Sequence, residues 1–348
     1  MGGIPPALQI LGEICSNFFE CTPPPRQTRL EAKYMSFSNL PEHLVQSEIW
    51  GKFKTAVGTP SFTAGGVRFT LHKLPLIPYY IAYAPKADLS KVNFDEVAKK
   101  AKGLKAVVVR FDVPNHLYRG YYPDGVVPHM NLARAPKDTF AKYNVLLDLF
   151  PSEEELFKNF KEKTRYNVRL AQKHGVIVNE SSDISIFLKL NRETAKRQGF
   201  YIHPDIYYKT MFDVLSKAGL AKFLVASLDK EPLASWILIS YKGVLYYPYG
   251  GSSDKHREVM ASNLLMWEAI KLGKNLGCKI FDMWGATNDE KDPWWGFTRF
   301  KLGYGGELVK YEDSLDLVIR PSIYKIFNVS YKIFWFFLRL KTKIFNFQ

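Results

Sequence analysis

Cysteine is scarce in this chain. Cys15, Cys21 and Cys278 are the only three in 348 residues. They form no even-numbered framework and no CxxC pair, which excludes a disulfide scaffold and a thiolate zinc site and makes a reducing cytoplasm the expected compartment. Long apolar runs are missing too. IFWFFL, near the C-terminus, falls far short of the roughly 20 residues that span a bilayer. There is no GxSxG elbow, no HExxH pair and no Walker loop, and the seven histidines show no metal-ligand spacing. Covalent catalysis by serine or cysteine therefore has no motif behind it, and neither a metal nor a cofactor is expected. Low-complexity tracts and a heptad run long enough for a coiled-coil arm are also absent.

Positive charge is plentiful. Forty-eight Lys and Arg stand against 34 Asp and Glu, a formal charge of +14. That excess points to an anionic partner: RNA, a phosphorylated substrate or an acidic membrane surface. The segment from Arg320 to Gln348 carries six Lys or Arg, interleaved aromatics and no acidic residue. It reads equally as a peripheral segment at the inner face of the membrane and as a terminal helix packing its aromatics on the domain. Residues 1–34 make a weak signal peptide, with Glu13 and no basic leader, followed by the linker-like ECTPPPRQTRLEAKY. Met35 is a natural start, and the preceding residues read as a disordered or extraneous extension.

Buried strands are expected at AVVVRFDV (Ala106 to Val113) and NVLLDLF (Asn144 to Phe150). After Pro151, Ser152 and Glu155 fit a capping box, and one helix is expected from there to Gly175. Helices around ISIFLKLNRETAKRQG and PDIYYKTMFDVLSKAG follow, then the strands AKFLVAS, PLASWILISY and GVLYYPYGG. The helix ASNLLMWEAIKLGKNLG puts Leu265, Ala269, Leu272 and Leu276 on one face, and the strand KIFDMWG closes the series. The fold class is mixed α/β, in two related domains: 35–150, with 308–348 packing on it, and 151–307.

Arg165, Arg169 and Lys173 recur at i, i+4 and i+8, a cationic stripe able to neutralise phosphates or simply to face solvent. Between GVLYYPYGG and the helix after it, a coenzyme-A acetyltransferase would carry a glycine-rich cradle for the pyrophosphate. Met260 and Ser262 stand where its glycines are wanted. In WWGFTRFKLGYGGELVKY (Trp294 to Tyr311), Lys301 sits among aromatics and glycines, two residues after Arg299. A lysine that loses water needs a compensating reason.

QSEIWGKFK, FKEKTRYNVRLAQKHGV, QGFYIHPDIYY, YYPYGGSSDKHR, KIFDMWG and GFTRFKLGYGGELVKY occur in this order from Gln46 to Tyr311. In them the chain resembles the Fem family of peptidoglycan-bridge aminoacyltransferases, of the kind without a helical arm. The resemblance implies two acetyltransferase-like (GNAT-like) domains and a monomer. It also implies transfer of an amino acid from aminoacyl-tRNA to a side-chain amine of a lipid-linked or UDP-linked muramyl pentapeptide. By the same resemblance Lys301, with Phe300 beside it, matches the lysine tied most closely to catalysis. It would stabilise the tetrahedral oxyanion or hold the terminal adenosine phosphate of the tRNA. Asp112 matches an aspartate near the reaction centre. Lys52 matches a lysine on precursor phosphates, and Tyr207 and Tyr249 match tyrosines lining the acceptor groove. His203 falls where a phosphate-binding arginine is known. Arg165, Arg169, Lys173 and Arg299 are the expected tRNA or phosphate contacts. Two other readings remain: a coenzyme-A-dependent acyltransferase of the same build, and an RNA-binding protein without chemistry.

Overall fold

The structure is a computed structural model and describes residues 40–113 and 132–329. The extension at 1–34 lies outside the described residues, as does the tail from 330. The described chain runs α1 (Glu48–Ala56), β1 (Ser61–Ala64), β2 (Val67–Lys73), β3 (Tyr80–Ala84), α2 (Phe94–Gly103), β4 (Ala106–Phe111), β5 (Leu132–Arg134) and β6 (Tyr143–Asp148). It continues through α3 (Glu153–Asn159), α4 (Glu162–Lys173), β7 (Ile177–Glu180), α5 (Ile184–Gln198), α6 (Asp205–Lys217), β8 (Ala221–Leu228), β9 (Glu231–Tyr241) and β10 (Val244–Ser252). Last come α7 (Ala261–Asn275), β11 (Ile280–Ala286), α8 (Trp295–Leu302), β12 (Glu307–Lys310), β13 (Leu315–Val318) and a helical stretch α9 at 321–329.

The strands form two mixed sheets. One has six strands in the order β1-β2-β3-β4-β13-β5, the other seven in the order β12-β6-β11-β10-β9-β8-β7. Each contains one parallel pair, β3 with β4 and β10 with β11. Parallel neighbours need a long crossover, and α2 and α7 supply one each. Both faces of each sheet are covered. On the larger sheet, Phe223, Val225 and Ile237 pack under α5, α6 and α1, while Leu224, Ala226 and Leu238 pack under α7. This period-2 alternation between two apolar cores is why these strands read as almost continuous hydrophobic runs. No long helical hairpin interrupts the larger sheet among the described residues.

Strand pairing does not divide at Pro151, where the sequence suggested a boundary. β6 precedes that proline yet lies inside the seven-stranded sheet, between β11 and β12. Its Val145, Leu146 and Leu147 are all buried, which suits a strand covered on both faces and no edge position. β12, expected with the first half, also pairs with β6, and only β13 returns to the six-stranded sheet between β4 and β5. The chain therefore crosses between the sheets twice.

The helix expected between Ser152 and Gly175 is two. The capping box is present, with Ser152 and Glu155 reciprocally bonded. Phe160 then leaves the helix (φ −62°, ψ 148°) to bury its ring against Trp267 and Tyr304. Of the face expected on α7, Leu265 and Ala269 are fully buried and Leu272 packs on the same core, whereas Leu276 falls past the helix end and is exposed.

One buried ion pair fastens the returning strand. Arg110 on β4 donates from Nε and Nη2 to the two oxygens of Asp316 on β13, both at 2.8 Å. Asp316 is fully buried and also accepts from the Tyr324 hydroxyl of α9 at 2.7 Å. Arg110→Met strands that carboxylate in the core. We expect a loss of about 3–5 kcal/mol in unfolding free energy by urea titration.

Candidate active site

β10 and β11 pair as Val244↔Ile280, Leu245↔Phe281 and Tyr246↔Asp282, and then part. Beyond that point β10 stays on β9 through Ser252, while β11 stays on β6 as far as Ala286. Both ladders shift register at the parting, between Tyr246 and Tyr249 on one side and Asp282 and Gly285 on the other. Trp284 is held there at φ 64°, a left-handed conformation that costs a non-glycine residue on the order of 1–3 kcal/mol.

Lys301 fills the parting from α8. Its Nζ donates to the Gly285 carbonyl at 2.6 Å and lies 3.5 Å from that of Trp284. Only 8% of the residue is exposed, so it does not snorkel to solvent. Burial pushes its ammonium down to about 8, against the pull of the Asp282 carboxylate. A second bond pins α8 in place, from the Thr287 amide to Thr298 Oγ1 at 2.9 Å. The glycines of the motif have packing reasons. A Cβ on Gly303 would sit 2.5 Å from Thr164 Oγ1 of α4, and one on Gly306 would sit 2.6 Å from Val145 of β6. Helix α8 can end against α4, and β12 can lie along β6, only with glycine at these places. Phe300 is half-buried, edge-on to Trp236 and Tyr304, whereas Arg299 is exposed.

Behind the parting lies a charged cluster that the sequence motifs did not single out. Asp282 is buried, accepting from Asn144 Nδ2 at 2.9 Å and the Trp284 amide at 2.7 Å, with His43 Nε2 3.7 Å away. Lys86 is also buried, at φ 51°, with its ammonium 3.2 Å from the centre of the Tyr311 ring and 4.3 Å from that of Phe140. Burial lowers Lys86 to about 8, opposed by the nearby carboxylates of Asp112 and Asp282. Asp282, His43 and Lys86 border a cavity of about 260 Å³ between the two sheets, lined also by Gln46, Tyr246 and Tyr311. Asp282 and Trp284 lie within KIFDMWG, so that motif held a signal. Lys86, in YAPKAD, carried none.

Asp112 sits at the end of β4, where both its oxygens are engaged: one accepts from Tyr83 and the other from Ser314 at 2.6 Å. Burial raises its carboxyl above the ordinary carboxylate range. No hydrogen bond among the described residues joins Asp112 to Lys301; Lys86 and Arg110 are the cations that act on Asp112.

Of the four expected substrate-binding residues, Tyr207, Tyr249 and His203 come together. The Tyr207 and Tyr249 hydroxyls are 3.2 Å apart, and the His203 ring stacks on Tyr207 at 3.8 Å. Burial, with some help from Lys54, depresses His203 to about 3, so it is neutral near pH 7 and supplies no charge for a phosphate. Lys52 stands apart on the surface, paired with Glu48 at 2.8 Å. It is Lys54, two residues on, whose ammonium lies over the Tyr207 ring at 5.1 Å.

The cationic stripe is not uniform. Arg165 turns back to the carbonyls of Phe160 and Lys158, capping the end of α3, so it is not an unpaired cation. Arg169 lies over the Phe157 ring at 5.3 Å and Lys173 is exposed. At the expected cradle, His256 and Met260 occupy left-handed backbone, and α7 starts at Ala261 without a side-chain cap. The strand–turn–helix shape is there, with side chains where a pyrophosphate would need bare backbone.

Two mixed sheets, each with one parallel pair and a crossover helix, and a larger sheet whose parallel strands part over a captured side chain, define an acyltransferase fold of the GNAT type. The acetyltransferase (GNAT) domain family matches residues 158–292. The crystal structure of FemX superposes with a TM-score of 0.72 at 18% identity, over 82% of this chain and 94% of that one. The C-terminal domain of a putative lysylphosphatidylglycerol synthetase from Agrobacterium fabrum gives 0.52 at 12% identity, over 79% and 88%. Among curated proteins, the lipid II:glycine glycyltransferases of Staphylococcus haemolyticus and Staphylococcus aureus (strain USA300) are each 21% identical, over 80% of this chain and 86% of theirs. These likenesses agree with the Fem resemblance that the motifs carry, at low identity and over most of both chains.

A buried lysine whose folded-state pKa is depressed leaves a signature in stability. Between about 8 and its ordinary value of 10.5 the unfolded chain binds the proton that the folded one has lost, so stability rises with pH across that window. Wild type should gain on Lys301→Met from pH 7.5 to 10, measured as the difference in urea unfolding free energy.

Proposed function

We propose that this protein transfers an amino acid from aminoacyl-tRNA to the side-chain amine of a peptidoglycan precursor stem peptide, extending or starting an interpeptide bridge. The carrying observation is Lys301: a buried ammonium held by the Gly285 carbonyl, at the point where β10 and β11 part. The named activity of the staphylococcal relatives, glycyl transfer on lipid II, supports a lipid-linked acceptor. A monomer at the cytoplasmic face of the membrane fits that acceptor. The side chains at Met260 and Ser262 favour a tRNA-borne donor over coenzyme A.

The attacking amine adds to the ester carbonyl carbon, a C–N bond forms, and the carbonyl oxygen becomes an oxyanion. Lys301, already stripped of water, stabilises that charge at little reorganisation cost, an effect worth about 3 kcal/mol. Collapse breaks the C–O bond, and the ribose hydroxyl leaves with a proton given up by the amine. Ester-to-amide exchange is downhill and needs no covalent intermediate. Asp112, with both oxygens engaged, acts through Lys86 by holding charge balance in the cluster. The Tyr207–Tyr249–His203 group offers the acceptor aromatic faces and hydroxyls, with Lys54 as the cation beside them.

The test is a transfer assay with a pool of tRNA charged with labelled amino acids and with lipid-linked or nucleotide-linked pentapeptide. Lys301→Met should fold normally and lose about a hundredfold or more in rate. The wild-type rate should fall as pH rises through about 8, where Lys301 loses its proton. A second reading, an acyl-coenzyme A donor, is favoured by the acetyltransferase family match. Tight coenzyme A binding by calorimetry, with no label transferred from tRNA, would establish that reading instead.

A further inference from the structure

One end of the six-stranded sheet carries an apolar tip among cations. The turn from β2 to β3 reads KLPLIPY (Lys73 to Tyr79), and its four central residues, Pro75 to Pro78, are exposed. Leu76 is 104% exposed and Ile77 37%. Leu76 also sits at φ 64°, backbone that turns usually give to glycine or asparagine. The turn is closed at its base by the Leu74 amide donating to the Tyr79 carbonyl at 2.8 Å, with Leu74 buried. Core packing does not explain a leucine held out in this way.

Two other segments reach the same end. The turn before β4 is tied there by the Tyr80 amide on the Lys105 carbonyl, 3.2 Å. The start of α9 is tied by Arg320 Nη2 on the Lys102 carbonyl, also 3.2 Å, and by the Arg320 guanidinium over the Tyr79 ring. Ile323, Tyr324 and Phe327 of α9 pack with Leu74, Ile81, Val107 and Val108, which leaves Ile326 (68%) and Val329 (58%) outward. Lys73, Lys102, Lys105 and Lys325 are exposed on these segments. Neither Lys73–Tyr79, Lys99–Lys105 nor Arg320–Gln348 contains an acidic residue.

We propose that this end of the sheet docks on an anionic lipid bilayer, with Leu76 and Ile77 entering the headgroup–acyl boundary and the lysines resting on the headgroups. A protruding apolar tip among exposed lysines suits a fluid anionic surface. The inference rests on the proposed function only for its sense, access to a lipid-linked acceptor; the contact itself follows from the chemistry of the tip.

The experiment is co-sedimentation of the full chain with vesicles of phosphatidylglycerol and phosphatidylcholine, and with phosphatidylcholine alone. Binding should require the anionic lipid and weaken with salt. The double variant Leu76→Asp, Ile77→Asp should bind about tenfold or more weakly, with an unchanged melting temperature and an unchanged transfer rate to the water-soluble nucleotide-linked acceptor. Lys73→Glu, Lys105→Glu should weaken binding comparably without touching the tip. The proposal is overturned if the tip variant binds like wild type, if neutral vesicles bind equally, or if binding depends only on residues 330–348. Vesicle binding that follows these expectations in a protein showing no aminoacyl transfer would leave the docking face standing and remove the proposed function.

Discussion

A positive charge kept out of water, with carbonyl oxygens as its hydrogen-bond partners, is the constraint around which this molecule is arranged. Lys301 can occupy its position only because β10 and β11 separate after Tyr246 and Asp282 and leave the Gly285 carbonyl to receive it. The separation in turn needs the register shifts of both ladders and the left-handed Trp284. The desolvation of Lys301 is offset in part by Asp282, which is itself held by Asn144, the Trp284 amide and the field of Lys86. Charges at this depth hold one another in place, since removing any one leaves its neighbour uncompensated in a low-dielectric interior.

The two sheet crossings serve that cluster. β6 brings Asn144 beneath Asp282, and the strand that leaves the larger sheet brings Tyr311 over Lys86 before Asp316 locks it to Arg110. Residues from opposite ends of the chain thus meet at one cavity between the sheets. Because the Arg110–Asp316 pair fixes β13 directly beside β4, the position of Asp112 at the end of β4 and of Ser314 just before β13 is set by the same lock.

Much of the fold was legible in advance for local reasons. The capping box at Ser152, the glycine after α5 and the apolar strands β8 to β10 are encoded in short windows, and all form. The sheet membership of β6 was not legible, because a buried apolar strand carries no label for its partner. The break at Phe160 escaped notice for a similar reason: its backbone is set by a ring that buries against Trp267 and Tyr304, both more than a hundred residues away. Motif reading singled out Lys301, which is buried on a carbonyl, and Tyr207 and Tyr249, whose hydroxyls meet. It passed over Lys86 and His43, whose surroundings are ordinary in sequence and exceptional only once burial removes their water.

By itself the sequence determined the kinds of element, most of their limits, the excess of positive charge and the order of motifs in which the chain resembles the Fem family. These depend on periodicity, caps and residue type, which act over a few neighbours. The tertiary structure alone decided which strands share a sheet, which lysines are buried and which only solvated, and that His203 is neutral while Lys54 stands beside the tyrosines. Those outcomes depend on desolvation and on charges brought close by long-range packing, and neither is defined until the chain has closed on itself.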